Sequence, residues 1–217
     1  MHRDMNKAKI ITPLILVMLL TLVTGAAEDS EPSKEYQVKA AFIYNFIKFV
    51  DWPEPAGAEA DQKTDNDNRQ IIIGVIGRDP FGRAFEAVTK KKIRDKQVIL
   101  KQFDGFAENS TEYKADGKTR YKYKDADALK ACQVLFVCPS ESRYFKEIID
   151  IVKDNCVLTI GETKDFLETG GIIEFTTEQK KVQFEINLIA AEQAKLKISS
   201  KLLRLAKRVI QKEEENS

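Results

Sequence analysis

The chain has 217 residues, of which 35 are basic and 34 acidic, so its formal net charge is +1. A charge this close to zero gives no electrostatic case for binding nucleic acid. Its one histidine is His2, which lies in a segment that we expect to be cleaved off, so the mature chain would contain no imidazole. That composition excludes Ser-His-Asp and Cys-His catalysis and the usual zinc sites that contain His. It predicts a protein that is not an enzyme and needs no cofactor.

The first 27 residues have the features of a secretory signal peptide. Three basic residues precede an apolar run over residues 10–23, and small residues follow it. This order is typical of export, with cleavage after Ala26 or Ala27. The alternative is an uncleaved anchor, although the run is short for a membrane span and contains a proline. We expect a mature protein with one domain over residues 28–217.

The segment over residues 36–50 predicts a helix with very little polar surface. Only Gln37, Asn45 and Lys48 form a polar stripe on it. The Trp-Pro pair at 52–53 ends it, because the residue before a proline is pushed out of the helical region. A helix that is apolar almost all round is normally buried. We therefore expect it to pack against a sheet, with binding to a partner protein as the alternative.

Strands alternate with helices through the middle of the chain. Residues 54–69 lack any large apolar residue and predict a solvated loop. Alternating strands and helices imply a mainly parallel sheet, so the predicted fold is a three-layer α/β sandwich of Rossmann-like type. Apolar runs predict strands at 71–76, 98–103, 133–138 and 156–160, and helical patterns predict helices at 83–92, at 141–154 with Ser140 as N-cap, and at 162–168.

Two further segments predict hairpins. Residues 104–128 contain no Leu, Ile or Val and are rich in Lys, Asp and Tyr, so they predict a long loop or a protruding hairpin with an exposed strand over 119–124. Binding of this segment to an anionic surface is an alternative, because basic and aromatic residues interleave in it. Residues 172–176 and 181–186 alternate well enough for an antiparallel hairpin at the edge of the sheet.

The chain is predicted to be helical from residue 187 onward, with a break near 196–199. Apolar residues line one side of the last predicted helix, and we expect that side either to pack on its own sheet or to contact a partner. The other side is basic and is a candidate partner face for an acidic sensor domain or an anionic lipid. The apolar side holds Leu202, Leu203, Ala206, Val209 and Ile210, and the candidate partner face holds Arg204, Lys207 and Arg208.

Three cysteines remain in the mature chain. Cys132 and Cys138 sit at opposite ends of one predicted strand, about 20 Å apart, which is too far for a disulfide. Cys156 begins the next predicted strand. If the two strands are parallel neighbours, Cys132 and Cys156 start side by side and are candidates for a disulfide. The alternative is that all three are buried free thiols.

The carboxyl ends of the predicted strands form a candidate ligand crevice, because ligands of open α/β sheets bind there. The glycines near residues 74–82 do not have the spacing of a dinucleotide-binding loop. A small polar ligand, paired carboxylates as in a glycosidase and ordinary helix capping are the alternatives for these residues. The candidate crevice residues are Arg78, Asp79, Ser140, Glu141 and Glu162.

Five blocks in order along the chain resemble the YfiR family of small exported bacterial proteins. The resemblance implies a periplasmic regulator, dimeric, that represses an inner-membrane diguanylate cyclase through its periplasmic sensor domain. It also implies an outer-membrane lipoprotein that relieves the repression, and control of cyclic-di-GMP and biofilm formation. The alternative is a periplasmic protein that binds or hydrolyses a small ligand. The blocks are KAAFIYNFIKFVDWP at 39–53, IGRDPFG at 76–82, CQVLFVCPSE at 132–141, VLTIGETKDFLETGGII at 157–173 and FEINLIAAEQAKLKISSKLLRLA at 184–206.

Overall fold

The computed structural model of the protein describes residues 33–53 and 70–212. The predicted signal peptide and the predicted loop over 54–69 lie outside the described residues. The helices are α1 (Lys34–Phe49), α2 (Glu86–Thr89), α3 (Ala126–Lys130), α4 (Phe145–Val152), α5 (Leu188–Gln193) and α6 (Ser200–Leu203). The strands are β1 (Val50–Asp51), β2 (Gln70–Ile76), β3 (Lys92–Ile93), β4 (Lys96–Phe103), β5 (Ser110–Ala115), β6 (Lys118–Tyr123), β7 (Val134–Val137), β8 (Leu158–Gly161), β9 (Ile173–Glu178), β10 (Lys181–Asn187), β11 (Lys197–Ile198) and β12 (Arg208–Ile210).

Eight strands form the central sheet, in the order β12-β10-β9-β8-β7-β2-β4-β3. The strands from β9 to β4 run parallel to their neighbours, and β12 runs parallel to β10. The hairpin of β9 and β10 is antiparallel, as is the pairing of the short β3 with β4. The predicted α/β fold of Rossmann-like type, with a mainly parallel sheet and an antiparallel hairpin, is therefore confirmed.

Apolar side chains leave the sheet on both faces and form two cores. In β7, Val134 and Phe136 point into one core, and Leu135 and Val137 point into the other. This alternation is the period of two that a strand imposes on its side chains. The first core lies under α1, α2, α5 and α6, and the second lies under α3 and α4. Helices on both faces of the sheet give the three layers that the sequence predicts.

Helix α1 is the predicted aromatic helix, and it packs against the sheet as expected. Ser33 caps it, because its side chain accepts a hydrogen bond from the N–H of Tyr36. The Phe46 ring is fully buried and packs against the rings of Phe175 and Phe184 at centroid distances of 5.7 and 4.9 Å. The chain then leaves the helix as β1, which pairs antiparallel with β11.

Three local predictions are wrong. Residues 162–168 form turns and not a helix. Ser140 does not cap an α-helix, because Pro139–Tyr144 is a 3-10 helix and α4 begins only at Phe145. The predicted helix over 83–92 is limited to a 3-10 turn, Gly82–Phe85, followed by the short α2.

The last predicted helix is wrong beyond Leu203. The residues that follow form β12, where Val209 lies opposite Ile186 of β10. The N–H of Lys207 already donates to the carbonyl of Phe184 at 2.8 Å, one step before the strand begins. Strand β10 has one edge left open by β9, so the chain satisfies its backbone hydrogen bonds there and leaves the helical conformation.

The disulfide that the sequence suggests between Cys132 and Cys156 is not present, because all three cysteines are free. Cys132 lies in the core under α3 and α4, where its thiol donates to the carbonyl of Ala128 at 3.3 Å. Cys156 packs against the core on the opposite face, and its carbonyl accepts a hydrogen bond from the Trp52 indole. Cys132 and Cys156 precede the neighbouring parallel strands β7 and β8. Their side chains nevertheless pack with different cores, on opposite faces of the sheet.

Candidate functional site

The strand order reverses at β2. One neighbour of β2 is β4, which follows it in sequence, and the other is β7, to which the chain returns later. Ligands of open α/β sheets bind outside the carboxyl ends of the strands at such a point. A cavity of about 400 Å³ lies there, and we call it the switch-point crevice. Its walls are Gly77, Arg78, Asp79, Gln102, Phe103, Asp104, Gly105, Ala107, Glu108, Ser140, Glu141 and Tyr144.

Gly77 allows two loops to approach each other at the floor of the crevice. Its φ is +94°, a backbone conformation that favours glycine. A β-carbon at this position would lie 2.5 Å from Ser140 Oγ and 2.5 Å from Glu141 Oε1. No side chain fits at that distance, so the crevice in its present form requires a glycine at residue 77.

Glu141 is a buried carboxylate that holds the crevice together. Its Oε2 accepts a hydrogen bond from the N–H of Phe106 at 2.7 Å, and its Oε1 accepts one from the Ser140 hydroxyl at 2.7 Å. The Ser140 oxygen in turn accepts the N–H of Arg78 at 3.0 Å. These three bonds join the loops that follow β2, β4 and β7. Both oxygens of Glu141 are therefore engaged within the fold, as a buried charge requires.

Asp79 also has a structural role in the turn after β2. One of its oxygens accepts the N–H of Phe81 at 2.7 Å, which is a local Asx turn, and the other accepts the amide of Gln102 at 2.5 Å. Arg78 is exposed and is the one cation among the crevice walls, which also carry Asp104 and Glu108. The crevice is consequently acidic.

Glu162 does not belong to the switch-point crevice, although the sequence groups it there. It lies in a second cavity, of about 610 Å³, which we call the α1 cavity. There the Tyr36 hydroxyl donates to Glu162 at 2.9 Å, and the Lys39 ammonium forms an ion pair with the same carboxylate. Burial and the Glu162 charge raise the pKa of the Tyr36 hydroxyl. Four of the five candidate residues line the switch-point crevice, and the fifth, Glu162, lines the α1 cavity.

Lys39 is the residue that the sequence analysis missed. It is buried on the inner side of α1 and is held between Glu162 and Glu35, whose oxygen lies 2.5 Å from its ammonium. That hydrogen bond lowers the pKa of Glu35. The Lys39 ammonium also lies 4.6 Å from the centre of the Tyr36 ring. The signal in the sequence was the spacing of Glu35 and Lys39, four residues apart on an apolar helix.

Other polar groups of the α1 cavity are incompletely bonded. The hydroxyls of Thr163 and Thr176 are buried and have no hydrogen-bond partner within the described chain. Glu174 is also buried, which raises the pKa of its carboxyl, and it accepts the N–H of Leu167 at 3.3 Å. The cavity thus combines the paired ammonium of Lys39 and the ammonium of Lys164 with carboxyl and hydroxyl groups.

The candidate partner face at the C-terminal end is largely neutralised. Lys207 pairs with Glu178 at 3.0 Å, and Arg208 pairs with Glu185 at 2.5 Å and with Glu168 at 3.3 Å. Arg204 follows the last turn of α6 and is exposed. The three cations do not form one helix face, because Arg208 lies in β12.

The described residues contain no group of three or more His, Cys, Asp or Glu side chains that could hold a metal ion. No helix among them is long and apolar enough to cross a membrane. Over residues 36–207 the chain matches a family model described as YfiR/HmsC-like. The chain belongs to the YfiR/HmsC-like family. The match spans the switch-point crevice, the β5–β6 hairpin and the α1 cavity apart from Glu35, and it confirms the family that the five sequence blocks indicate.

The YfiR/HmsC-like family is known for periplasmic regulators of diguanylate cyclases and is regulatory rather than catalytic. No protein with a curated description matches the chain.

Two solved structures show distant similarity. One is the crystal structure of a conserved domain protein from Vibrio cholerae O1 biovar El Tor strain N16961, with 12% identity and a TM-score of 0.48 over 80% of this chain. The other is an ABC domain in complex with L-Trp from Streptococcus pneumonia, with 12% identity and a TM-score of 0.41 over 64% of this chain. This chain spans 60% and 55% of their lengths, respectively. Neither similarity bears on function at these scores.

Proposed function

We propose that this protein is an exported regulator that binds the periplasmic domain of an inner-membrane sensor protein and represses it, and that the sensor is a diguanylate cyclase. The observation that carries the proposal is the match to the YfiR/HmsC-like family over residues 36–207. The basic start, apolar run and small residues of the first 27 residues support export. The mature protein then corresponds to residues 28–217 and works in the periplasm.

The arrangement of polar groups supports regulation by association rather than turnover. Glu141 and Asp79 are the carboxylates that a hydrolytic reading of the switch-point crevice would need. Each has its two oxygens committed to groups of the fold. Hydrogen bonds that fix both oxygens to backbone and side-chain groups of the fold favour a structural role for these two carboxylates over that of a general base.

The direct test is the level of cyclic-di-GMP in the native host. Deletion of the gene should raise cyclic-di-GMP and biofilm formation, because a repressor of the cyclase is lost. Complementation with the wild-type chain should restore both. A chain without residues 1–27, which stays in the cytoplasm, is the matched control and should not complement. Unchanged cyclic-di-GMP on deletion would refute the cyclase as the target.

Partners can be identified with the purified mature protein as bait. Membrane extracts of the native host should yield an inner-membrane protein with a periplasmic domain, and an outer-membrane lipoprotein should compete with it for the bait. Light scattering of the same preparation measures the oligomeric state, for which we propose a homodimer. N-terminal sequencing of the protein from a periplasmic extract tests cleavage, and a start at Met1 would contradict it.

A further inference from the structure

Three of the four basic residues in the two strands of the β5–β6 hairpin lie on one face, and the fourth, Lys114, lies on the other face beside Glu112. Its two strands pair with each other and with no other strand of the described chain. Residues directly opposite in an antiparallel pair share a face, and Tyr113 lies opposite Arg120 and Thr111 opposite Lys122. We call this side the basic face of the hairpin. It consists of Thr111, Tyr113, Ala115, Lys118, Arg120 and Lys122.

The opposite face fixes the hairpin to the body of the protein. The Tyr123 ring stacks on the Phe106 ring at a centroid distance of 5.5 Å, and its hydroxyl donates to the carbonyl of Asp104 at 2.9 Å. Burial raises the pKa of Tyr123 to about 12. Tyr121 and Tyr144 complete the cluster, with their ring centroids 6.0 Å apart. Since this face is anchored, the basic face is turned toward solvent.

Two of the three cations of the basic face have no counter-ion within the described part of the chain. Lys118 and Lys122 are exposed and make no ion pair with any described residue. Arg120 contacts Asp116 at 3.4 Å, but both side chains are exposed, and such pairs contribute little. Tyr113 is 46% exposed between these cations. The face therefore has three cations and an aromatic ring available to a partner.

The geometry of the face matches an extended chain. Lys118, Arg120 and Lys122 are alternate residues of one strand, so their spacing is about 6.6–7 Å, the same as that of alternate side chains in a strand laid beside them. Each strand of the hairpin also has one free edge of N–H and C=O groups. An added strand binds such an edge through its main chain and gains specificity from alternate side chains.

Two features favour an acidic protein segment over an anionic lipid surface. The turn of the hairpin contains Asp116 and Gly117 and no large apolar side chain that could enter a membrane. The positive charges lie along a strand edge, where they oppose pairing with a second copy of the same strand. A segment with Asp or Glu at alternate positions is the complement of both the charge and the spacing.

We propose that the basic face of the hairpin binds an extended acidic segment of a partner protein, which adds as a strand to the edge of β6. Carboxylates at every second residue of that segment pair with Lys118, Arg120 and Lys122, and Tyr113 contacts a side chain between them. The proposal stands on the hairpin alone and holds whether or not the partner is a diguanylate cyclase.

The test uses the purified protein and a fluorescein-labelled peptide in which Glu and Thr alternate, with binding followed by fluorescence anisotropy. The peptide should bind, and binding should weaken steeply as salt rises. The double variant Lys118→Glu, Lys122→Glu should lose about tenfold or more in affinity, because two attractive contacts become repulsive. The matched control is Lys180→Glu, Lys181→Glu, at the turn and the first residue of β10, which should bind the peptide like wild type.

Two other probes separate the alternatives. A peptide of the same composition with its Glu residues in one block should bind more weakly than the alternating peptide. Equal binding of the two would overturn pairing in strand register. Binding only to vesicles that contain an anionic phospholipid would overturn the protein segment in favour of a lipid surface. Equal losses in the hairpin variant and in the control variant would show that the basic face is not the site.

Discussion

The switch-point crevice depends on one residue without a side chain. Gly77 has φ +94°, and its backbone passes within reach of the Ser140 hydroxyl and the Glu141 carboxylate. Gly82, a few residues further along, also has a positive φ of +50° but has open space where a β-carbon would be. A comparison of substitutions at the two glycines therefore separates the free-energy cost of backbone strain from that of steric crowding.

We expect Gly77→Ala to be clearly more destabilising than Gly82→Ala. Both variants place a β-carbon in the left-handed region, at a cost of about 1–2 kcal/mol. Only Gly77→Ala also displaces Ser140 and Glu141, which adds about 1–3 kcal/mol. Urea denaturation of both variants and wild type measures the difference. Equal losses would mean that the loops move apart without cost and that Gly77 does not fix the crevice.

The buried Lys39 makes the α1 cavity sensitive to a single charge. Lys39→Met should destabilise the protein by about 3–5 kcal/mol, because it leaves the Glu162 carboxylate buried without its partner. The double variant Lys39→Met, Glu162→Gln should recover much of that loss, since it removes the second charge as well. Denaturant midpoints of the single and double variants decide the matter. A loss below about 1 kcal/mol for Lys39→Met would contradict a tightly paired lysine.

At the scale of elements, the position of α1 on the sheet is fixed by contacts between aromatic rings. Phe46 is fully buried against Phe175 and Phe184, and Phe42 is half-buried on the rim of the same group. Helix α1 is thereby fixed to the β9–β10 hairpin. The opposite side of the helix, with Asn45, faces solvent.

Truncation of the fully buried Phe46 should destabilise the protein more than truncation of the half-buried Phe42. Phe46→Ala should cost about 3–5 kcal/mol, as expected for a buried ring that leaves a cavity. Phe42→Ala should cost less, because part of its ring remains in water in the native state. Asn45→Ala serves as the control and should stay within about 0.5 kcal/mol of wild type. The free energy of unfolding from urea titration is the measurement, and the reverse order of the two phenylalanines would contradict the packing.

The elements that were predicted well from the sequence include the strands made of uninterrupted apolar runs. The strands over 71–76 and 133–138 are continuous apolar runs, and the structure has them as β2 and β7. The C-terminal residues 202–210 also have a helical period, yet β12 forms there because the open edge of β10 competes for the backbone. Leu205 is 68% exposed as a result. Sequence periodicity does not report such an edge.

The same reasoning applies to the candidate site. Arg78, Asp79, Ser140 and Glu141 were predictable, because they follow strands whose carboxyl ends meet in any parallel sheet. Glu162 follows β8, which is separated from β2 by β7, and its carboxylate turns to α1 instead. The order of strands in the sheet decides this, and no local pattern encodes it.

At the scale of the whole molecule, the two cores on either side of the sheet each bury a cysteine. Cys138 lies in the core under α1, and Cys132 lies in the core under α3 and α4. Burial raises the pKa of both thiols, that of Cys132 to about 11. Thiolate is the reactive form, so both residues should be inert while the protein is folded.

Thiol counting should therefore report global unfolding. In native protein only Cys156, which is half-buried, should react readily with iodoacetamide, and all three cysteines should react in denaturant. Mass spectrometry of alkylated peptides identifies each site. If only Cys138 reacted in denaturant without reductant, Cys132 and Cys156 would be joined by a disulfide, which would contradict the structure.

The pairing of β1 with β11 has a consequence for the time at which the protein can fold. Val50 lies opposite Ile198, so the segment that ends α1 is completed by residues near the far end of the chain. The sheet likewise pairs β2 with the distant β7, where Ile73 lies opposite Val134. Contacts of such long range must wait for the closure of long loops, which slows folding. Helix α1 is the first of the described helices to be synthesised, and Phe46 stays uncovered until β9 and β10 supply Phe175 and Phe184, so chaperones would have to shield its ring until then.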